Sequence, residues 1–355
     1  MPTAHKHRPK KQRSRKFKRA PRVVHDETFA IDYTKLPTDL DMDALEELAA
    51  ELPKPKKSAK PIDHTVLFDL NVADMVEAAE GEKVDVSNLR TRNQTYVALT
   101  TARLREGLSV ITEGVLDVVP EGHAFLRTAS SDYMPTAEDI FVPPSLVKES
   151  ALREGMIVRG ALRVPLEGET MFALTSVEQI DGRDPEEVYG RTPFKELIPI
   201  YPEERIFLEG TDDNPLEMRI VDLISPIGRG QRGLIVAPPR TGKTILLQML
   251  ARSIVRNAPD VHLIILLVDE RPEEVTDFKR SVPGDKVEVV SSTFDEPASR
   301  HIRLADMVIK KAKSMVEAGD DVVILLDSIT RLARACNTEA PSNGKLLSGG
   351  LEATA

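Results

Sequence analysis

Residues 237–244 read Ala237-Pro238-Pro239-Arg240-Thr241-Gly242-Lys243-Thr244. The spacing is that of a loop that cradles phosphate groups, with Ala237 standing where that pattern has its first glycine. The apolar segment Gly233–Ala237 before it predicts a strand, and Lys243–Val255 after it predicts a helix. Strand, loop and helix in this order turn backbone N–H groups onto an anion and set the positive end of a helix beneath it. Lys243 then supplies a point charge to β- and γ-phosphates, and the Thr244 hydroxyl a ligand for Mg2+. Pro239, Arg240, Thr241, Gly242 and Ile245 complete the candidate nucleotide-binding stretch.

Further along, the pattern is that of a parallel α/β layer. Val261–Val268 is a continuous apolar run, as expected for a strand buried on both faces. Val287–Val290 and Val322–Leu326 predict further parallel strands, with an amphipathic helix over Arg300–Glu317 between them. The last strand ends at Asp327. An Asp there often caps a helix, but beside a phosphate loop it is a candidate Mg2+ ligand. Nucleotide hydrolysis also needs a group that orients the attacking water. Glu270, just after the central run, is the first candidate and Asp269 the second; the alternative for Glu270 is an ordinary loop charge. Glu273 and Glu274 read as the acidic first turn of a helix beginning near Pro272.

Upstream, the character changes three times. Residues 1–62 read as a tail and linker. Their basic run, Lys6 to Arg22, either holds RNA phosphates non-specifically or is merely a solvated tail. An acidic stretch, Asp39–Glu51, carries Leu40, Leu45 and Leu48 at near-helical spacing, and Pro53, Pro55 and Pro61 then break the pattern. Residues 63–109 predict a small helical module. Residues 110–183 hold five short β-rich runs, Val110–Val119, His123–Leu126, Ile140–Val142, Met156–Val164 and Met171–Ile180, which suggest a small barrel of OB type. A proline-rich connector covers 184–204, and the α/β region covers 205–355.

Composition narrows the class. The chain has 355 residues, 41% hydrophobic and 30% charged, with a formal net charge of -9 that argues against binding nucleic acid over its whole surface. A single cysteine, Cys336, rules out an internal disulfide and fits a reducing compartment. No apolar run approaches the ~20 residues of a membrane span. A cytoplasmic protein without membrane contact is expected.

Several strings together resemble the Rho family of bacterial transcription termination factors. They are Ser225-Pro226-Ile227-Gly228-Arg229-Gly230-Gln231-Arg232, Asp269-Glu270-Arg271-Pro272-Glu273-Glu274, Thr293-Phe294-Asp295-Glu296-Pro297-Ala298-Ser299-Arg300-His301 and Leu325-Leu326-Asp327-Ser328-Ile329-Thr330-Arg331. The resemblance runs from about residue 195 to the end and, more loosely, over 65–182. It implies a RecA-type P-loop ATPase core, with a parallel sheet flanked by helices, behind the helical module and OB-like barrel. It also implies an RNA-dependent ATPase and helicase that binds nascent single-stranded RNA, uses ATP and Mg2+, assembles as a homohexamer and acts on RNA polymerase. Lys243 and Glu270 would carry catalysis, Thr244 and Asp327 the metal, and Arg240 and Arg271 would border the nucleotide.

For RNA the resemblance points to two places. On the barrel, Gly122-His123-Ala124-Phe125-Leu126-Arg127 stands where the family has Gly-Phe-Gly-Phe-Leu-Arg. His123, Phe125, Arg127, Asp139 and Phe141 are the implied contacts, while Met171 takes a position that is often aromatic. Read without the resemblance, Phe125 is equally a barrel-core residue. Near the end, Asn343-Gly344-Lys345-Leu346-Leu347-Ser348-Gly349-Gly350 resembles a channel loop, with Lys345, Ser348 and Gly349 as contacts. Family chains continue well past this loop, so a C-terminally truncated core is expected. It would lack a second RNA loop and an arginine that reaches the neighbouring site, worth 10³–10⁵ in rate in analogous NTPases. The competing readings are another RecA-type ring ATPase and a non-catalytic RNA-binding fragment.

Overall fold

A computed structural model describes residues 32–41, 43–45, 47, 62–87, 89, 91–210, 215–238 and 240–339. The basic run Lys6–Arg22, most of the linker before residue 62, parts of the acidic stretch 39–51, Pro239, and Lys345, Ser348 and Gly349 lie outside the described residues.

The first layer is a barrel. A two-residue strand, β1 (Ile62–Asp63), runs parallel to the start of β2 (Val110–Val118). Then follow β3 (Ala124–Arg127), β4 (Ile140–Val142), β5 (Ile157–Arg163) and β6 (Ala173–Ile180). The order β2-β3-β4-β6-β5, with β5 returning to β2, closes the barrel, and only the β4–β6 pairing is parallel. The five predicted β-rich runs each overlap one of the strands β2–β6, with β3 reaching one residue past its predicted run.

Two helices, α1 (Val72–Gly81) and α2 (Arg92–Arg105), close one side of the barrel. Both have defined starts. Asn71 accepts hydrogen bonds from the Ala73 and Asp74 N–H groups, and Thr91 with Gln94 forms a capping box. Met75, Ala79, Tyr96 and Leu99 share one hydrophobic core with Leu116, Leu126, Val158 and Phe172 of the barrel. A module of some 45 residues buries too little on its own, so helices and barrel form one unit. His64 lies at the centre of this core, its ring edge-on to Phe68 and tilted against Tyr96.

The second layer begins with a short antiparallel pair, β7 (Arg205–Ile206) and β8 (Ile227–Gly228), joined through α3 (Leu216–Ile224). After the phosphate loop comes α4 (Lys243–Asn257). The parallel sheet consists of β9 (His262–Glu270), β10 (Val287–Thr293) and β11 (Val322–Asp327), in the order β10-β9-β11. Helices α5 (Pro272–Ser281), α6 (Ala298–Glu317) and α7 (Ile329–Glu339) follow these strands. β9 is buried on both faces as predicted. Leu263, Ile265 and Leu267 pack with α4 and α5, while Ile264, Leu266 and Val268 pack with α6.

One expectation is corrected. Gly233–Ala237 forms no strand, and Leu234 and Val236 are 72% and 85% exposed. A strand exists only where a neighbour completes its hydrogen-bond ladder. Among the described residues no strand pairs with this segment, and β11 remains an edge strand paired only with β9.

Helix α6 holds the two layers together. Tyr133 and Met134 of the barrel layer pack with Leu304, Ala305 and Val308. Lys311 Nζ donates to the Tyr133 hydroxyl at 2.9 Å and pairs with Glu288, to which Tyr133 also donates. Arg303 Nη2 reaches Asp117 Oδ2 at 2.6 Å, and Ser314 donates to Asp181 at 2.9 Å.

The two layers approach closely at Gly155, where φ is +89° and an added Cβ would lie 2.4 Å from the Lys310 carbonyl carbon. Gly155→Ala is expected to cost about 2 kcal/mol or more, from left-handed strain and the clash together; urea denaturation checks it, and an unchanged midpoint refutes the packing. A second prediction concerns acid. Burial pushes the His64 imidazole down to about 3, assisted by nearby Arg103 and opposed by Asp63. The unfolded chain therefore binds this proton below pH ~6.5 while the folded chain does not. Stability should fall as pH drops from about 6.5 toward 3, and His64→Leu should flatten that part of the pH–stability curve.

Candidate functional site

Of the nucleotide-site candidates, Lys243, Thr244, Glu270 and Asp327 come together at the carboxyl ends of β9 and β11. α4 starts immediately after Gly242, which takes φ +91°, a left-handed conformation that glycine adopts without strain. Leu246, Leu247, Leu250, Ala251 and Ile254 supply its apolar face against the sheet. The first turn leaves the N–H groups of Lys243, Thr244 and Ile245 without intrahelical acceptors, as at every helix start. Upstream, Arg240 takes φ +64° and the Thr241 hydroxyl donates to the Pro238 carbonyl at 2.7 Å, which tightens the loop.

The buried Asp327, 1% exposed, gathers the chemistry. Lys243 Nζ donates to its Oδ1, and the Thr244 hydroxyl lies 3.3 Å from its Oδ2. An ammonium, a hydroxyl and a carboxylate from two elements 83 residues apart thus occupy one point. Thr244 and Asp327 are hard oxygen donors side by side, and that donor set fits Mg2+.

Glu270 ends β9 on the neighbouring strand and is 4% exposed. Its Oε1 pairs with Arg331 Nη1 at 3.0 Å. Its Oε2 is buried and has no hydrogen-bond partner among the described residues. Burial pushes this carboxyl up to about 7; Glu274 and Asp327 add to the shift and Arg331 opposes it. The second candidate, Asp269, differs: its side chain is 37% exposed, and Arg331 is bound to its backbone carbonyl. Sequence reading did not single out Arg331. It lies 61 residues from Glu270, and no local pattern signals that α7 brings it there. Arg271, at the start of α5, and Ile245 are exposed and stand apart from this cluster.

The barrel candidates form a second cluster. Ala124 and Leu126 of β3 point into the barrel core, so Phe125 and Arg127 point outward. Phe125 nevertheless packs in a separate apolar group with Val119, Phe141, Met171 and Ala173. The Phe125 and Phe141 rings meet edge-on at 5.8 Å, with His123 tilted 6.2 Å from Phe141. The Arg127 guanidinium lies over the Phe125 ring at 4.9 Å. Its Nε donates to Asp117 at 2.9 Å and its Nη1 to Asp139. Its Nη2 is buried and has no acceptor among the described residues. Asp139 is raised to about 6 by burial, against the opposing pull of Arg127.

Two protein families match these two clusters. Residues 112–186 match the Rho termination factor, RNA-binding domain, and residues 217–348 the ATP synthase alpha/beta family, nucleotide-binding domain. The chain is 50% identical to the transcription termination factor Rho of Haemophilus influenzae, over 82% of this chain and 69% of that one. It is 49% identical to that of Cereibacter sphaeroides, over 80% and 67%. It is 42% identical to that of Rhodopirellula baltica, over 96% and 69%. Among solved structures it is similar to a prototypical ATPase from the type III secretion system of pathogenic bacteria. That likeness has a TM-score of 0.37 and 25% identity, covering 50% of this chain and 47% of that one. Barrel and core together define an RNA-binding ATPase with a RecA-type nucleotide-binding core. The chain belongs to the transcription termination factor Rho family.

Because Arg331 holds the Glu270 carboxyl down, Arg331→Ala should raise the Glu270 titration midpoint above about 7. Carboxyl-carbon NMR of labelled glutamate checks this; an unmoved midpoint would show that the pair is not formed in solution.

Proposed function

We propose that this chain is a motor subunit that couples ATP hydrolysis to movement along single-stranded RNA. It works in a ring of six in the cytoplasm and releases transcripts from RNA polymerase. The observation that carries the reading is the junction of Lys243, Thr244 and Asp327 beside a buried glutamate with one unpartnered oxygen.

Mg2+, when bound with ATP, neutralises charge that develops on the transferred phosphoryl group. The protein's part is positional. The N–H groups at the start of α4 hold phosphate oxygens, and Lys243 leaves Asp327 for the β- and γ-phosphates. Thr244 and Asp327 would hold the metal through their oxygens. Pro239, Arg240, Thr241, Gly242, Ile245 and Arg271 border the nucleotide. Glu270 Oε2 accepts a hydrogen bond from the attacking water and aims it at the γ-phosphorus. Arg331 favours the charged form of that carboxylate and fixes its orientation.

RNA takes the barrel. The faces of Phe125, Phe141 and His123 stack on bases, which tolerates sequence variation. Arg127 Nη2, the orphaned donor, offers a hydrogen bond to a base edge, with Asp139 bracing the same guanidinium. Lys345, Ser348 and Gly349 grip the strand further along.

The test is ATP turnover with and without cytosine-rich RNA. RNA should stimulate it, and Lys243→Ala should abolish it. Glu270→Gln should lower turnover by about 10²–10⁴ while nucleotide affinity is kept. Turnover should also fall as pH drops below about 7, because a protonated Glu270 no longer accepts from water. RNA-independent turnover, or full activity in Glu270→Gln, would sink the reading. Phe125→Ala should weaken RNA binding by about 1–3 kcal/mol.

A further inference from the structure

The outward face of β3 poses a question that the barrel alone does not answer. Phe125 is 0% exposed and Phe141 2%, although neither belongs to the barrel's interior core. An outward aromatic is fully buried only if something lies over it. Leu36, upstream of the barrel, packs on that cluster, and its neighbour Pro37 is buried.

The residues around Leu36 are fastened across the barrel surface. Asp32 caps a short 3-10 turn, Tyr33–Lys35, by accepting from the Thr34 N–H at 3.1 Å. The Lys35 carbonyl accepts from the Thr170 N–H at 3.2 Å. The Thr38 N–H donates to Glu169 Oε1 at 2.6 Å, and the Thr38 carbonyl accepts from Arg163 Nη2 at 3.1 Å. Asp39 Oδ2 accepts from the Ser145 N–H at 3.2 Å. The fastenings reach three parts of the barrel layer: Glu169 and Thr170 in the β5–β6 loop, Arg163 at the end of β5, and Ser145 just after β4.

We propose that residues 32–41 form an intramolecular strap that competes with RNA for the barrel. The idea rests on the reading that Phe125 and Phe141 stack on bases. Leu36 holds the apolar surface that a base would cover, since two groups cannot occupy one aromatic face. The strap and the described residues just after it are also acidic, with Asp39, Asp41, Asp43 and Glu47. Phosphates entering the cleft would meet like charge as well as a filled pocket. The fastening is weak enough to release. It consists of six hydrogen bonds, four of them exposed, together with the buried Pro37 and a leucine that remains partly open to solvent. RNA therefore binds the fraction of molecules whose strap is open, and its apparent affinity is lowered by that fraction.

The experiment uses the full chain and a fluorescein-labelled 12-nucleotide oligocytidylate. Leu36→Ser should tighten binding by about tenfold, the expected effect of raising the open fraction from about a tenth to nearly all. In the parent chain, adding the oligonucleotide should strip hydrogen-exchange protection from the amides of Thr38 and Thr170. Unchanged affinity in Leu36→Ser, or protection of these amides that persists with RNA bound, overturns the strap. Phe125→Ala separates this failure from failure of the underlying reading. If RNA binds the parent and Phe125→Ala equally well, or binds neither, the barrel is not the RNA site and both ideas fall.

Discussion

Burying one strand from both sides constrains everything else in the core. β9 carries six consecutive apolar residues, Leu263 to Val268, and each is 2% exposed or less. Its backbone groups have no water to turn to, so they must pair with β10 on one edge and β11 on the other. Its two faces must be covered at once, by α4 and α5 on one side and α6 on the other. At roughly 25 cal/mol per Å2 of apolar surface, a bare face of such a strand would cost more than a domain's net stability allows. The strand's end is thereby held, and with it Glu270, at a fixed place beside Asp327. A carboxyl raised to about 7 survives in that position only because the surrounding packing pays for its burial.

Helix α6 extends the same constraint to the barrel. One face of it completes the cover of β9, while Arg303, Lys311 and Ser314 reach residues of the barrel layer. Asp117 accepts hydrogen bonds from Arg303 of this helix and from Arg127 beside the aromatic cluster. One buried carboxylate thus touches both layers. The barrel layer packs directly against the ATPase core.

Charge is distributed to match. Net charge is -9, yet the two candidate sites each display a cation held against a carboxylate, Lys243 on Asp327 and Arg127 on Asp139. Each pair keeps its cation oriented at modest cost, because leaving a buried charge alone would be far more expensive.

Much was legible in sequence because the signals were local. The Gly242-Lys243-Thr244 turn, the apolar run of β9, the Asp that ends β11 and the five short strands each depend on residues within about ten positions. Their periodicity and turn chemistry sufficed to indicate an ATPase core behind a barrel. The strand at Gly233–Ala237 failed for the opposite reason: its apolar pattern is local, but a ladder partner is not. Arg331 on Glu270, Arg303 on Asp117 and Leu36 on the Phe125–Phe141 cluster join residues 61 or more apart. Periodicity carries no information about such pairs. Only the closing of the barrel and the stacking of helices on the sheet decide which distant side chains meet.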